Sequence, residues 1–178
     1  MSVQPLVTED LATALGAAVD KLKTASDEEA TPVFTSDTRL LHNVLTEARI
    51  RQFTFQVDEP PLLGGTDQAP NPVELVLAAL GTCQEIVYAA YAAVLGIELD
   101  GVEITVSGPL DLRGLFGITA TPSGFQHVEM QTRIRSREAP EAIQRLVNTV
   151  QAHCPVLDII QRPLEVRNQV ALNGEPLS

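Results

Sequence analysis

Residues 71–83 read NPVELVLAALGTC, and with the continuation QEIVYAAYAAVLG to Gly96 they decide how the chain must fold. Asn71 is a favoured N-cap, and Pro72 suits the first helical position, where its missing N–H would have no partner anyway. Glu74 completes a capping-box pattern with Asn71. The spacing predicts one helix running to about Leu95 and stopping at Gly96. Because it is apolar nearly all round, it must be covered on most sides. A chain of 178 residues is long enough for one domain with one core. Such a domain struggles to surround this helix, which points to a second subunit.

The helix also carries one of only two cysteines. At about 100° per residue, Cys83 shares a face with Val76, Ala79, Leu80, Ile86, Val87 and Ala90. That setting suits an inert core thiol. It lies about three turns from the helix N-terminus, where the macrodipole has faded, so a reactive thiol here needs a cation brought from elsewhere. Cys154 stands between His153 and Pro155 at the expected end of another helix. That partly exposed position suits packing and redox chemistry equally.

Working outward, residues 8–25 predict a first helix, with Thr8 as cap, Glu9 and Asp10 in the first turn, and a stripe of Leu11, Leu15, Ala18 and Leu22. SDEEATP (26–32) is acidic, ends in Pro and reads as a linker, so residues 1–32 form an N-terminal helix and acidic linker ahead of a domain over 33–178. Strands are predicted over Val33–Leu41 and Arg49–Val57, the latter alternating Phe53, Phe55 and Val57 with Thr54 and Gln56. DEPPLLGGTDQAPNP (58–72) is a long loop of the kind that is usually functional. Further strands are predicted over Val102–Ser107, Val128–Arg135 and Leu164–Val170. A helix over about 140–152 packs Ile143, Leu146, Val147 and Val150 inward and ends at HCPV (153–156), because Pro155 cannot continue the hydrogen-bond ladder. The order is that of an α+β domain.

The net charge of −11 and the absence of any Lys/Arg run argue against nucleic acid or an anionic membrane as partner. Leu75–Ile97 is long enough to span a bilayer but places Gln84 and Glu85 at its centre and has no flanking Lys or Arg, so a buried core helix is expected. The start MSVQPLVTEDLATAL lacks the features of a secretory leader, and two cysteines in that context imply the reducing cytoplasm, where a disulfide is transient and chemical. His42, His127 and His153 form no metal-ligating spacing with the cysteines. His127 alternates with Glu129 on the polar side of its strand. No GxSxG, papain-like, P-loop or GxGxxG pattern occurs.

Taken together, GGTDQAPNPVELVLAALGTC (64–83), LDLRGLFG (110–117) and HCPV (153–156) resemble the OsmC/Ohr family of organic hydroperoxide reductases, over roughly residues 33–170. The resemblance implies an OsmC-like fold assembled as an intertwined homodimer, with two long helices packed centrally and sheets wrapped around them. It implies that Cys83 is the peroxidatic thiol and Cys154 the resolving one. The substrate is then a small hydroperoxide, and an external dithiol such as lipoamide is the reductant, with no bound cofactor or metal. An apolar site raises a thiol pKa, and in the family an arginine offsets this. It comes from near the end of the first strand, which points to Arg39, with Arg49 and Arg51 as competitors. Family members hold that arginine with a glutamate ten residues before the reactive cysteine. Here that position is Val73, and Glu74 falls on the opposite helix face from Cys83, which marks a divergent branch. The alternative function is a non-enzymatic redox-sensing or apolar-ligand-binding dimer.

Overall fold

The structure, a computed structural model, describes residues 6–177. Residues 1–5, part of the stretch read as lacking a leader, and Ser178 lie outside the described residues. The central element is the predicted long helix, α3, Pro72–Leu95, and its ends follow the sequence signals. The Asn71 side chain accepts from the Glu74 N–H while the Glu74 carboxylate accepts from the Asn71 N–H, each at 2.9 Å. Gly96 closes the helix in the left-handed conformation at φ 66°, which a Cβ would disfavour. At 24 residues the helix is about 36 Å long.

One stripe of α3, made of Leu80, Gly81, Gln84, Tyr88 and Ala92, is buried. It packs on the antiparallel pair β4 (Gly101–Ser107) and β5 (Glu129–Arg135), whose connection holds the short helix α4 (Leu112–Leu115), and on α5 (Pro140–His153). The core joins Tyr88 and Ala92 to Ile97, Leu99, Leu146 and Val150. On β5 the side chains alternate, with Met130, Thr132 and Ile134 turned inward and Glu129, Gln131 and Arg133 outward. Helix α1 (Glu9–Leu22) lies along α3. Thr8 occupies its N-cap position without a side-chain capping bond. Within one chain α3 is therefore covered on one side only, and Ile86, at 69% exposure, stands out with Val76 and Val94. It is long and apolar enough to cross a bilayer, yet it directs its Leu80–Ala92 stripe into the protein core.

Four expectations need correction. The linker at 26–32 contains a helical turn, α2 (Asp27–Ala30), held by a Ser26–Glu29 capping box. The first strand is β1, Asp37–His42; Val33 and Phe34 precede it outside any strand, 88% and 90% exposed. The expected single strand over 49–57 is two, β2 (Leu45–Ile50) and β3 (Phe53–Val57), giving an antiparallel sheet in the order β1-β2-β3. The turn between them uses Arg51 at φ 54°, a residue without turn propensity, so the break left no trace in the pattern. The strand expected over Leu164–Val170 is absent. The tail instead forms a small hairpin, β6 (Ala171–Leu172) with β7 (Glu175–Pro176), around Asn173–Gly174 at positive φ, the dipeptide that a type I′ turn favours.

The β1–β3 sheet packs hardly at all on α3 or the β4–β5 pair of its own chain. It leaves Leu40, Ile50, Phe53 and Phe55 exposed.

Candidate active site

Pro155 ends α5 as expected, but it also starts α6, Pro155–Gln161. Proline is as well suited to the first position of a helix as it is hostile to the interior. Cys154 is thus the hinge residue between two helices, with an extended backbone at φ −75° and ψ 114°. Its N–H donates to Val150 O and its carbonyl accepts from Asp158 N, both at 3.0 Å. It is 2% exposed, not partly exposed as its position predicts. Both α5 and α6 pack on α3. The His153 ring stacks on Tyr91 of α3 at 5.4 Å between centroids, which clamps the α5 end against α3 one residue before the hinge.

The consequence is that Cys154 Sγ lies 3.5 Å from Cys83 Sγ, although the residues are 71 positions apart. Both are free thiols, Cys83 half-buried and Cys154 buried. Burial pushes the Cys83 thiol above its ordinary value; the Val156 N–H of α6 pulls against this, and the neighbouring Cys154 thiol adds to the rise. Val156 enters the site because Pro155 carries no N–H and the α6 ladder begins with Asp158, leaving the Val156 N–H without an intrahelical acceptor. Only recognition that HCPV starts a helix as well as ending one could have found this group in the sequence.

No guanidinium is among the groups acting on Cys83. Arg39 pairs across the sheet with Glu47 at 2.8 Å, Arg49 with Asp37 at 3.1 Å, and Arg51 lies over the Phe53 ring at 5.3 Å. All three belong to the β1–β3 sheet or its turns, the part of the chain that packs hardly at all on α3. Glu74 is engaged in the capping box at the start of α3, and Val73 offers no carboxylate. Among the described residues no group of three or more His, Cys, Asp or Glu is arranged to hold a metal. His127 is exposed, 3.5 Å from Glu129.

Two features escaped the sequence reading. Asp58, at the end of β3, is 1% exposed and organises the glycine-rich loop: its Oδ2 accepts from the Thr66 hydroxyl at 2.7 Å, the Thr66 N–H at 3.0 Å and the Gln68 N–H at 3.3 Å. The Thr66 hydroxyl, with the N–H groups of Glu59, Thr66 and Gln68, holds its carboxyl at about 2 against the cost of burial. Gly65 must be glycine in this loop, since a Cβ would lie 1.7 Å from Glu59 O. The second feature is Gln84, next to Cys83, fully buried with neither amide atom hydrogen-bonded. A cavity of about 750 Å³ lies between α3, β5 and α6, lined by Val76 and Leu80 from the Cys83 ridge and by Leu157 and Ile160, three and six residues after Cys154.

With this geometry in hand, a sequence profile for the family described as OsmC-like protein matches residues 65–168, more than half of the chain. The chain belongs to the OsmC-like family. Its fold is that of solved OsmC-like proteins. An OsmC-like protein from Mycoplasma pneumoniae superposes with a TM-score of 0.62 at 18% identity, covering 73% of this chain and 88% of that one. An organic hydroperoxide resistance protein OsmC from Legionella pneumophila gives 0.56 at 24% identity, covering 74% and 92%. A Vibrio cholerae protein named for organic hydroperoxide resistance, with captopril bound in one of its active sites, gives 0.55 at 16% identity, covering 85% and 100%. Among curated proteins no sequence match is found. The matched region contains both cysteines and the whole of α3, so the OsmC-like family resemblance and the thiol pair fall on the same elements.

Proposed function

We propose that this OsmC-like protein is a thiol-dependent reductase of organic hydroperoxides, with Cys83 as the attacking thiol and Cys154 as the resolving one. The observation that carries this reading is the 3.5 Å approach of two sulfurs 71 residues apart. The Cys83 thiolate attacks the distal oxygen of ROOH; the O–O bond breaks, the alkoxide takes a proton and leaves as alcohol, and Cys83 becomes a sulfenic acid. The Cys154 sulfur then attacks the sulfenic sulfur and water leaves, giving the Cys83–Cys154 disulfide. An external dithiol such as lipoamide reduces the disulfide by exchange, and is itself oxidised to the cyclic disulfide.

The thiolate needs a positive neighbour, and Arg39 is the residue we assign, supplied through a homodimer in a cytoplasmic setting. The open side of α3 and the apolar β1–β3 sheet are both uncovered in one chain, as expected if a second copy covers each. Reduced protein with a dithiol should consume cumene hydroperoxide over many turnovers. Cys83→Ser should abolish consumption, and Cys154→Ser should accumulate sulfenic acid at Cys83. Full activity in Cys83→Ser refutes the proposal.

A second reading is a redox sensor or apolar-ligand binder without turnover. Val73 in place of the family glutamate and the raised Cys83 thiol favour it. It predicts one equivalent of alcohol per chain and no more, even with excess dithiol.

A further inference from the structure

We infer that Asp58 is a positioning residue for the proposed reaction: it closes the loop between β3 and α3 and so fixes the direction in which the sheet carrying Arg39 reaches the Cys83 of a second copy. The inference rests on the reading of function above. The β1–β3 sheet packs hardly at all on its own α3, so side-chain packing does not orient one on the other. The sheet is reached from α2 through residues 32–36, which are exposed and outside any helix or strand. It leaves through residues 58–71, directly into the N-cap of α3. The angle between sheet and helix is therefore set inside that second segment.

The segment is built to hold one shape. Val57 and Asp58 are 7% and 1% exposed, at the end of a strand whose other residues are exposed. The Asp58 N–H donates to Pro70 O at 3.3 Å, which joins the end of β3 to the residue before the Asn71 cap. Its Oδ2 gathers the Thr66 hydroxyl and the N–H groups of Thr66 and Gln68. The Thr66 hydroxyl in turn accepts from the Gln68 side-chain amide at 2.7 Å. Backbone bonds from the Gly65 N–H to Pro60 O at 3.3 Å and from the Asp67 N–H to Glu59 O at 3.2 Å close the remainder. Pro60, Pro61 and Pro70 restrict φ at three further points. A buried carboxylate is costly unless hydrogen-bonded in this way. Held in one shape before assembly, the segment leaves less entropy to be lost when two copies join. Freed, it would let the sheet swing, and Arg39 would meet the thiol in only a fraction of orientations.

The test uses reduced full-length protein with three substitutions. Asp58→Ala removes all three side-chain bonds, Thr66→Val removes the hydroxyl bond, and Thr66→Ser keeps it. Association is measured by sedimentation. The pH midpoint of Cys83 alkylation and the rate of Cys83 oxidation by cumene hydroperoxide are then measured where each protein is fully associated. Asp58→Ala should weaken association, raise the midpoint and slow oxidation about tenfold or more. Thr66→Val should move all three the same way by less, and Thr66→Ser should restore them. Excess diamide, which takes two electrons and two protons from the thiol pair, should still crosslink Cys83 to Cys154 in every variant, because α3, α5 and α6 pack together without the loop. Loss of association in Asp58→Ala with that crosslink kept also supports the inference. Unchanged midpoints and rates in Asp58→Ala and Thr66→Val overturn it while leaving the proposed reaction intact. Loss of the diamide crosslink in both variants overturns it too, since the loop would then be a requirement of the helical core. If wild type itself does not reduce cumene hydroperoxide, the proposed reaction fails, and the alkylation midpoint and association decide the inference by the same comparison.

Discussion

Treating the reduced protein with one equivalent of cumene hydroperoxide should join Cys83 to Cys154 and make the folded state markedly harder to unfold. The two sulfurs lie 3.5 Å apart and close a loop across 71 positions of the chain. Chain-entropy reasoning assigns a crosslink of that span about 4 kcal/mol, through the freedom removed from the unfolded state. Two features subtract from this. The sulfurs must close to about 2 Å, and Cys154 sits 2% exposed in the angle between α5 and α6, where packed neighbours resist movement. A net gain of about 2–4 kcal/mol is therefore expected. With a urea m-value of about 2–3 kcal/mol/M for a chain of this size, the unfolding midpoint should rise by about 1–2 M. The assay compares oxidised and reduced protein, each at the same protein concentration because association would shift the midpoint by mass action. Cys154→Ser treated with the same peroxide is the control for oxidation without a crosslink and should show no such rise. An unchanged or lowered midpoint in crosslinked wild type would mean that the sulfur approach is strained in the native fold, and the resolving role of Cys154 would lose its basis.

Burial holds the Cys83 thiol above its ordinary value, so the folded chain keeps that proton longer than the unfolded one. This contribution is fully present below the unfolded thiol pKa of about 8.5 and is lost as pH rises through the higher folded value. At protein concentrations below association, the reduced wild type should thus destabilise more steeply at alkaline pH than Cys83→Ser in pH-jump urea titrations. If Arg39 is the activating cation, Arg39→Ala should move the pH midpoint of Cys83 alkylation upward, whereas no movement in it, Arg49→Ala or Arg51→Ala excludes all three. Gln84→Met replaces a buried amide that has no hydrogen bond with an apolar side chain of similar length, and should stabilise by about 1–3 kcal/mol, read as a rise in Tm; a fall would mean the amide is satisfied in solution. Asp58 titrates at about 2 when folded against 3.8 unperturbed, so its stabilising effect is present above about pH 4 and is lost as pH falls toward 2. Asp58→Asn should flatten that acid limb in thermal melts between pH 2 and 5, and an unchanged limb refutes the assignment.

What the sequence revealed followed from how local each signal was. The α3 boundaries were legible because Asn71, Glu74 and Gly96 each act within one turn of the residue they cap. The burial of Leu146 and Val150 was legible from helical period alone. The β2–β3 break was not, because Arg51 turns the chain with a side chain that carries no turn preference. The strand expected over Leu164–Val170 does not form, and Leu164 and Val166 stand exposed, while the turn signal of Asn173–Gly174 just beyond it sets the hairpin of the tail. Pro155 has two meanings, a stop for α5 and a start for α6, and the stop alone does not reveal α6, the Val156 N–H or the cavity-lining Leu157, Ile160 and Gln161.

The site divides along the same line. The meeting of Cys83 and Cys154 is complete within one chain, since α3, α5 and α6 pack together and the Tyr91–His153 stack closes the angle. The means of ionising Cys83 is not complete. The candidate arginines sit on a sheet that barely touches its own α3, each already engaged with Glu47, Asp37 or Phe53. Exposed cross-strand ion pairs of this kind are worth about 1 kcal/mol or less, so Arg39 can leave Glu47 at little cost when a buried thiolate offers a stronger partner. Under the proposed function, the thiol pair would be in place in a single chain, and Cys83 would gain its thiolate only where the sheet of a second copy meets α3. Peroxide reactivity of Cys83 should therefore rise with protein concentration, in step with association measured by sedimentation, while its distance to Cys154 stays the same.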